Sequence, residues 1–523
     1  MCEHHCSPDQ TPSHPGLDRR SVLRLGAGVV AVGAVTTVAP LVPAAAADGA
    51  RPGRGKVITK VFKGEFNDPD TADWHYLPFR VPRGVRRIHV SYEFEPTDTG
   101  VGISYNVVDI GLFDEGGKGI GDADGFRGWS GGARREFTIT RARATPGYLA
   151  GPIRAGKWHI LLGPYLITPP GTPYVVTVKL FKGPKGEHFE PAPAPQEVPG
   201  TPAGWYRGDL HLHTVHSDGA RTQRQLVTAA QTAGLDFIGS SDHNTSSATY
   251  VWGRHAPDGF LVVNGEEVTT RSGHWLAMGL PPMTWIDWRY RAEDDLFQVF
   301  AAKVRALGGI VIAAHPNNPV PSIRWDHGYE HVDAIEAWNG PWTTDDQKTV
   351  TDWHARLRQG SYLPIVGNSD SHNDSQTVGL AQTSYRLGSL SAAEVVAAAR
   401  AGHAWIAESS TVDLTFTATL GDAVAECGDR LAAGPDDTAT VALHATGVPG
   451  SLARIVGPAG VVGFGVADAD GVLDVTAQVP VGTTAFVRAE VGRPKGDAGS
   501  PVQTTPIDKM AALTNPIFLG SAG

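Results

Sequence analysis

Cysteine is scarce in this chain of 523 residues, which contains only three copies. Cys2 and Cys6 lie at the N-terminal end, and Cys427 lies far from both of them. If the N-terminal segment is removed, as its composition indicates below, Cys427 has no partner and no intramolecular disulfide can form. The same scarcity argues against a structural metal site built from thiolates. The chain therefore depends on packing and on other kinds of ligand for its stability.

A strongly basic stretch is also missing outside the extreme N-terminus. Lys and Arg number 44 against 54 Asp and Glu, which gives a formal net charge of −10. Nucleic-acid binding through phosphates needs clustered positive charge, so this class of protein is excluded. Hydrophobic residues make up 41% and charged residues 19% of the chain, a balance typical of a globular protein. The length predicts two or three domains.

The N-terminal residues resemble an export signal. Arg19 and Arg20 precede an apolar run, Val22 to Val42, and the small residues Ala44 to Ala47 follow it. The paired arginines resemble the twin-arginine signal of bacteria. We expect residues 1–47 to be a signal peptide, the twin-arginine export machinery to be a partner, and the mature protein to be secreted or extracytoplasmic. The alternative is a membrane anchor, which the glycines and the proline inside the run disfavour.

Shifts in composition divide the rest of the chain into four segments. Short β-rich runs separated by Gly, Pro and Asp predict a β-sandwich-like domain at residues 52–183. A proline-rich stretch predicts a semi-rigid linker at residues 184–204. Apolar runs alternate with helical stretches at residues 205–408, and β-like runs return at residues 409–523. The sequence thus predicts an α/β domain between two β-rich domains.

Alternation in the central segment predicts a mainly parallel sheet or a barrel covered by helices. The predicted helices are Thr222 to Ala233, Ala292 to Leu307 and Ala392 to Ala401. The predicted strands include Tyr206 to Leu212, Leu235 to Ser240, Phe260 to Asn264, Ile310 to Ala314, Leu363 to Val366 and Ala404 to Ala407.

Candidate metal ligands follow most of these predicted strands. Both imidazoles of His211-Leu212-His213 point to one face of a strand, because side chains alternate with a period of two. Similar side chains come after the later strands: Asp242, His243, Glu266, Glu267, His274, His315, Asp370 and His372. The ends of barrel strands meet at one rim. Such a cluster is costly to bury without a divalent cation, and mixed imidazole and carboxylate ligands suit Zn, Fe or Mn.

The residues around these ligands resemble the polymerase-and-histidinol-phosphatase (PHP) superfamily of metal-dependent hydrolases. Within it, the β-rich flanks and a tail at residues 511–517 are most similar to the carbaryl-hydrolase branch. The resemblance covers residues 205–408 best. It rests on these stretches: Gly208-Asp209-Leu210-His211-Leu212-His213-Thr214, Ser217-Asp218-Gly219, Ser241-Asp242-His243, Gly265-Glu266-Glu267-Val268-Thr269, Ala314-His315-Pro316 and Gly367-Asn368-Ser369-Asp370-Ser371-His372.

The resemblance implies a distorted (β/α)7 barrel that binds two or three divalent metal ions. It implies one ion held by His211, His213, Glu267 and Asp370. Glu267 would bridge to a second ion, held also by His274 and His315. A third position would use Asp218 or His216 together with His243 and His372. His216 departs from the family, which often has an aromatic residue there.

The expected chemistry is hydrolysis by a hydroxide that bridges two metal ions, without a serine nucleophile. Asp370, His372 and Arg271 are the candidate catalytic residues. Asn244, Arg271 and Arg324 are the candidates for binding the substrate. The superfamily resemblance implies a small-molecule phosphate monoester or diester as substrate. The alternatives are hydrolysis of a carboxyl ester, amide or carbamate at the same metals, and a secreted carbohydrate- or surface-binding protein without activity.

Overall fold

The computed structural model describes residues 57–67, 72–95, 106–121, 124–168, 170–495 and 502–521. The predicted signal peptide, residues 1–47, lies outside the described residues. The described residues belong to one compact unit, residues 54–523. Their fold is mixed α/β and rich in strands. None of the described helices is long and apolar enough to cross a membrane.

Two antiparallel sheets of four strands form the described N-terminal region, ordered β1-β8-β3-β6 and β2-β7-β4-β5. Val90 and Val178 from the first sheet share an apolar core with Ile110 and Ile160 from the second. The strands are β1 (Val57–Phe66), β2 (His75–Val81), β3 (Val85–Phe94), β4 (Val107–Phe113), β5 (Phe126–Trp129), β6 (Glu136–Thr140), β7 (Gly156–Leu166) and β8 (Thr172–Lys182).

The second of these sheets is buried on both faces. Even-numbered residues of β7, such as Ile160, face the N-terminal core. Leu161, one position along, points to the opposite face because strand side chains alternate. There it joins Phe113 of β4 in a cluster with Trp275 and Trp288. The N-terminal strands are therefore packed directly against the central region.

A mixed sheet forms the central region. Its strands are β9 (Gly204–Asp209), β10 (Phe237–Ser240), β11 (Leu261–Thr270), β12 (Gly273–Met278), β13 (Ile310–Ala313), β14 (Ala334–Asn339), β15 (Ile365–Asn368), β16 (Gln382–Leu387) and β17 (Ala404–Ala407). They run in the order β15-β14-β13-β12-β11-β10-β9-β16-β17. Strand β12 is antiparallel to both of its neighbours, whereas β9, β10 and β11 pair in parallel, as do β13, β14 and β15.

Among the described residues, four α-helices accompany this sheet: α1 (Gln223–Thr232), α2 (Phe297–Ala306), α3 (Thr344–Arg358) and α4 (Ala392–Ala401). Short 3₁₀ helices span Ser247–Tyr250, Trp252–Arg254, Ala292–Asp294 and Val481–Thr483. Thr222 caps α1 in a capping box with Gln225, which satisfies amide groups that the first turn leaves free. Gly402, at φ 75°, ends α4 in the left-handed conformation that glycine adopts without strain.

The C-terminal region continues the central sheet, because β17 pairs with β26 and the order runs on through β25, β22 and β23. A second sheet, β19-β18-β21-β24, covers it. Phe416 and Val441 of the second sheet pack against Ile455 and Val487 of the first. The strands are β18 (Asp413–Leu420), β19 (Ala423–Ala425), β20 (Arg430–Leu431), β21 (Thr438–Thr446), β22 (Leu452–Gly457), β23 (Gly460–Val466), β24 (Leu473–Pro480), β25 (Phe486–Pro494), β26 (Ile507–Thr514) and β27 (Ile517–Leu519).

Three elements of the sequence prediction need correction. The strand predicted at Tyr206 to Leu212 ends at Asp209, so His211 and His213 follow it and do not lie within it. The helix predicted from Ala292 begins at Phe297.

The strand predicted at Phe260 to Asn264 is twice as long, since β11 runs from Leu261 to Thr270. Glu267 therefore lies inside a strand and not in a loop that follows one. A hairpin joins β11 to the antiparallel strand β12, so His274 stands near the start of its strand. The ligand candidates thus reach one place from strands of both directions.

Candidate metal centre

Histidine and carboxylate side chains form four overlapping groups within the described residues, each with ligand atoms close enough to hold a metal ion. Nine of the candidates from the sequence belong to at least one group, whereas Asp242, Glu266 and His216 belong to none. Among the described residues, Glu336 is the one member of these groups that the sequence did not predict. The groups are His213, Asp218, His243 and His372; His211, His213, Glu267 and Asp370; His211, His315 and Glu336; and His243, Glu267 and His274.

Glu267 lies at the middle of the centre. Its Oε1 is 2.8 Å from His274 Nδ1 and 3.3 Å from His315 Nε2. Its Oε2 is 3.2 Å from His211 Nε2 and 2.8 Å from His243 Nδ1. The two oxygens of one carboxylate therefore face two different sets of imidazoles, which is the arrangement that a carboxylate bridging two cations requires.

Asp370 and Asp218 provide carboxylate oxygens on either side of His213. Asp370 Oδ1 is 3.0 Å from His213 Nε2 and 3.3 Å from His211 Nε2. Asp218 Oδ1 is 3.6 Å from His243 Nε2 and 3.5 Å from His372 Nε2. Asp218 thus completes a group with three histidines on the outer side of the centre.

The sequence left open whether His216 or Asp218 belongs to this outer group. His216 Nδ1 hydrogen bonds to Ser247 Oγ at 2.8 Å, and His216 is in none of the four groups. Burial lowers the pKa of His216 to about 4. His216 is therefore a neutral, buried histidine with a side-chain partner, and the geometry favours Asp218 as the carboxylate of the outer group.

Several buried atoms of the centre lack a hydrogen-bond partner among the described residues: His211 Nε2, Glu267 Oε2, His274 Nε2 and His315 Nδ1. Such atoms are rare in folded proteins because each loses its hydration without compensation. Two of them, His211 Nε2 and Glu267 Oε2, are 3.2 Å apart. A divalent cation between this nitrogen and this oxygen would satisfy both atoms, so the residues present fit a metal centre. The nitrogens that His274 and His315 turn to Glu267 are the other ones, Nδ1 and Nε2.

The electrostatics of the centre favour the protonation state that a metal ion needs at His213 and Glu267. Burial, with the imidazoles of His372 and His243, lowers the pKa of His213 to about 4. Burial raises the pKa of Glu267, but His243 and His211 outweigh this effect and hold that pKa well below its usual value. At neutral pH the centre therefore has an imidazole lone pair at His213 and a negative charge at Glu267, and metal binding requires both. Burial lowers the pKa of His211 and of His243, but nearby carboxylates outweigh this effect and raise both pKa values, so these two imidazoles have to release a proton when a metal ion binds.

Glu336 is the residue that sequence reasoning missed. Its Oε1 accepts hydrogen bonds from His211 Nδ1 and Asn368 Nδ2, both at 2.9 Å. Its Oε2 accepts from the His315 amide and from Asn339 Nδ2, also at 2.9 Å. Four donors occupy this carboxylate, so Glu336 fits a residue that orients His211 rather than a ligand. The available signal was an isolated acid inside the apolar strand β14.

Backbone strain is concentrated at the predicted site. Asn244, His315 and Asp370 have positive φ values of 52°, 28° and 49°. Residues other than glycine adopt this region at a cost of about 1–3 kcal/mol each, and such residues cluster at functional sites. The surrounding strands therefore impose these conformations, which turn the side chains at the strand ends towards the centre.

The three predicted substrate-binding residues have different environments. Asn244 is buried, its Oδ1 accepts a hydrogen bond from the Thr269 amide, and its Nδ2 has no partner among the described residues. Arg271 is buried beside Asp109. Arg324 is exposed and pairs with Asp326 at 3.1 Å, so its charge is directed to the surface and already neutralised. All three residues stay predictions, and of the three Arg324 alone is exposed.

The centre is most accessible on the side of the outer group. The side chains of His372, Asp218 and Asp370 are 23%, 46% and 21% exposed, whereas those of His211 and His213 are fully buried. A substrate therefore approaches from the side of Asp218 and His372.

No family model and no curated protein matches this sequence. Among solved structures, the chain is similar to a two-domain protein from Bacteroides vulgatus that contains a predicted PHP-like metal-dependent phosphoesterase. The identity is 16% and the TM-score 0.34, with 64% of this chain and 100% of that chain covered. It is also similar to an amidohydrolase from Chromobacterium violaceum, at 17% identity and a TM-score of 0.25, over 33% of this chain and 89% of that chain. Both TM-scores are low, so the geometry of the centre has to carry any conclusion about function.

Proposed function

We propose that this chain is a metal-dependent hydrolase that cleaves phosphate monoesters or diesters at a centre of two or three divalent ions. The observation that carries the proposal is Glu267, whose two oxygens face separate sets of imidazoles. His211, His213, Glu267 and Asp370 would hold one ion, and His274 and His315 with Glu267 a second. Asp218, His243 and His372 are available to a third.

When bound, the ions supply Lewis acidity and lower the pKa of water, which are the two requirements for hydrolysing an unreactive ester. The chain itself positions and encloses the reacting groups. Glu336 fixes the orientation of His211 through the hydrogen bond to Nδ1. Asn244 presents an amide Nδ2 without a partner among the described residues, and this donor is available to a substrate oxygen.

A distorted seven-stranded barrel and export from the cytoplasm belong to the same proposal. The run from β9 to β15 contains seven strands in sequence order. Beyond the ends of its two outer strands, the Asp370 amide donates to the His211 carbonyl at 2.9 Å, and the His213 amide donates to the Ser371 carbonyl at 3.2 Å. These bonds support closure of the run at the end that carries the ligands. Export through the twin-arginine pathway is supported by the sequence of residues 1–47 alone.

Hydrolysis of a carboxyl ester, amide or carbamate at the same centre is the second candidate. One observation favours it. Arg271 lies 3.7 Å from the carboxylate of Asp109, and Arg324 is paired with Asp326. Both cations predicted to attract a phosphate thus have an acidic partner, and an uncharged substrate needs neither of them.

The first test is to measure the metal content of the purified protein and its activity on three chromogenic esters. These are 4-nitrophenyl phosphate, bis(4-nitrophenyl) phosphate and 4-nitrophenyl acetate, each with and without added Mn²⁺, Zn²⁺ or Fe²⁺. Bound metal with turnover of either phosphate ester is the expected result. Bound metal with turnover of the acetate alone would replace the proposal by the second candidate. Absence of both metal and turnover would contradict both and favour a binding protein.

Asp370→Asn tests whether this centre is the one responsible. This substitution removes the negative charge of a carboxylate that faces the imidazoles of His211 and His213. Turnover should therefore fall at least about a hundredfold, because the variant holds the metal ion less well. Asp374→Asn is the matched control, because Asp374 lies in the same loop, is 93% exposed and pairs with Arg221. Equal activity of the two variants would contradict the assignment of the centre.

A further inference from the structure

Arg271 lies at the tip of the hairpin that joins β11 to β12, and both of these strands carry predicted ligands. Side chains two positions apart lie on one face of a strand, so Glu267, Thr269 and the position of Arg271 follow one another on the same side of β11. Thr269 Oγ1 is 2.6 Å from His243 Nδ1, which shows that this side faces the centre. Arg271 is thus the next residue along the face that carries Glu267.

The guanidinium of Arg271 is buried but has no hydrogen-bond acceptor among the described residues. The residue is 8% exposed, and its Nε, Nη1 and Nη2 atoms are all buried without such a partner. Asp109 Oδ2 lies 3.7 Å from Nη2, which supplies a compensating charge but no hydrogen bond. A guanidinium offers five N–H donors, and buried donors are normally satisfied.

Another buried arginine shows how a purely structural ion pair looks in this molecule. Arg289 hydrogen bonds to Asp287 through Nε at 2.9 Å and through Nη2 at 2.6 Å. Its remaining donors bond to Tyr76 and to the carbonyls of Lys118 and Gly119. Arg289 is saturated by protein groups, whereas Arg271 keeps its hydrogen-bonding capacity.

The N-terminal sheet supplies the surroundings of Arg271. The guanidinium carbon lies 4.9 Å from the ring centre of Trp74, before β2, and 4.4 Å from that of Tyr165, in β7. Asp109 of β4 is paired with Gly163 of β7. Gly163 and Tyr165 are two positions apart and lie on the same face of β7, the face that is turned away from the N-terminal core.

Gly163 leaves the space that this arrangement needs. A Cβ atom at this position would lie 2.7 Å from the ring of Trp74 and 3.2 Å from Arg271 Nη2. A side chain there would push against both groups, since real Cβ contacts are hardly ever so close. The absence of a side chain in β7 therefore determines where the Arg271 guanidinium lies.

We propose that the N-terminal sheet completes the substrate pocket, with Asp109, Trp74, Tyr165 and Gly163 positioning Arg271 to bind an anionic oxygen of the substrate. This inference rests on the proposed function and deepens it. The substrate class is an ester that carries a negative charge next to the bond that is cleaved, as phosphate monoesters and diesters do. The donors of Arg271 match two oxygens of such a group in a bidentate arrangement. The N-terminal sheet is then a determinant of specificity and not a separate accessory domain.

Three variants test this inference. Arg271→Gln removes the charge, and Arg271→Lys keeps the charge but loses the planar pair of donors. Gly163→Ala leaves Arg271 itself unchanged and disturbs its position from the N-terminal sheet. Gly183→Ala is the matched control, because a Cβ there meets nothing within 4 Å. Two quantities are measured with the metal-loaded protein. They are the dissociation constant for inorganic phosphate, and KM and kcat for 4-nitrophenyl phosphate and 4-nitrophenyl acetate.

Arg271→Gln should weaken phosphate binding and raise KM for the phosphate ester by about tenfold or more, the usual effect of losing a charge-assisted hydrogen bond. Arg271→Lys should recover part of this loss. Gly163→Ala should change the same two quantities in the same direction, while the constants for the uncharged acetate and the bound metal stay within about twofold of the parent protein.

Unchanged phosphate binding in Gly163→Ala, or an equal loss for both substrates, would overturn the inference. The phosphate measurement also separates this inference from the proposed function. If the parent protein hydrolyses no phosphate ester but binds phosphate through Arg271, the proposed function fails and the anion site stands. If it hydrolyses phosphate esters and Arg271→Gln binds phosphate as before, the proposed function stands and this inference fails.

Discussion

The centre at the strand ends and the C-terminal region both bury charge, but they do so in opposite ways. In the C-terminal region Glu490 lies between two arginines, with Arg454 Nη1 3.3 Å from Oε1 and Arg488 Nη1 3.1 Å from Oε2. At the strand ends, Glu267 faces imidazoles and its Oε2 has no hydrogen-bond partner among the described residues. One buried carboxylate is complete without a ligand, whereas the other is incomplete.

This difference separates a structural charge from a functional one. Burial raises the pKa of Glu490, but Arg488 and Arg454 outweigh this effect and keep it below its usual value, so Glu490 is ionised and paired within the protein. Glu267 is also held ionised, but by His243 and His211, imidazoles that release a proton when they bind a metal ion. Pairing with arginine leaves nothing for a metal ion to do, whereas pairing with imidazole leaves a site for one.

Glu267→Gln should lower turnover more than any other single substitution at the centre. We expect turnover to fall at least about a thousandfold, or about 4 kcal/mol in barrier height, because the bridging carboxylate is lost. Bound metal should fall as well, and elemental analysis with steady-state kinetics would measure both. Adding metal at a hundred times the dissociation constant should stabilise the parent protein by about 2.7 kcal/mol and this variant much less. Full metal content in the variant would refute the bridging role.

Glu490→Gln should have the opposite result. Two arginines would stay buried without their carboxylate, which costs about 3 kcal/mol in the free energy of unfolding. Denaturant titration of the metal-loaded protein measures this loss. The metal content and kcat of the folded fraction should equal those of the parent protein, because Glu490 lies outside all four groups of candidate ligands. A loss of metal in this variant would contradict the conclusion that Glu490 is a structural charge, separate from the metal centre.

Glu336→Gln tests a case that lies between these two. Its carboxylate accepts four hydrogen bonds, as a structural carboxylate does, but one of its donors is His211 of the centre. Glutamine keeps the shape but loses the charge that holds the proton on His211 Nδ1. We expect metal affinity to fall about ten- to hundredfold, the usual effect of changing a residue that orients a ligand. Competition with a chromogenic chelator would measure it, and an affinity within twofold of the parent protein would contradict the orienting role.

The sequence predicts the part of the centre that local patterns determine. Helix α4 and strand β17 have the predicted bounds, and α1 differs by one residue at each end. Most of the predicted ligands come together because parallel strands end at the same edge of a sheet, whereas His274 reaches them from the start of the antiparallel strand β12. Helix α3 was missed because its segment is largely polar, although Thr343 and Asp346 form a capping box at its start.

The remainder depends on contacts between distant segments, which no local pattern reveals. Glu336 is isolated in its strand, and its role becomes visible only beside His211, 125 positions away. Asp109 lies in another sheet altogether and reaches Arg271 across the packed faces of two regions. Arg324 stays a prediction from its place near the ligands along the chain, and its exposed pair with Asp326 could not be predicted from the sequence. Spacing along the chain indicates candidates, and packing decides among them.

The smallest expected effect concerns the pH dependence of the C-terminal charges. Arg488 Nε donates to His354 Nδ1 at 3.1 Å, and burial, with the charge of Arg488, lowers the pKa of His354 to about 4. His354 is therefore neutral in the folded protein at pH 6.5, near the ordinary pKa of histidine. Its contribution to stability is present above pH 6.5 and is lost as the pH falls from 6.5 towards 4.

His354→Gln should remove this part of the pH dependence, which we put on the order of 1 kcal/mol because the side chain is only half-buried. Denaturant titrations at pH 6.5 and pH 4.5, both with a chelator present, isolate the effect from metal release. His444→Gln, at an exposed histidine beside Asp474, is the control for losing an imidazole. His354→Gln and the parent protein losing the same stability between pH 6.5 and pH 4.5 would contradict this prediction. The loss would then come from the histidines of the metal centre, and the stability that the C-terminal charges contribute would not depend on pH.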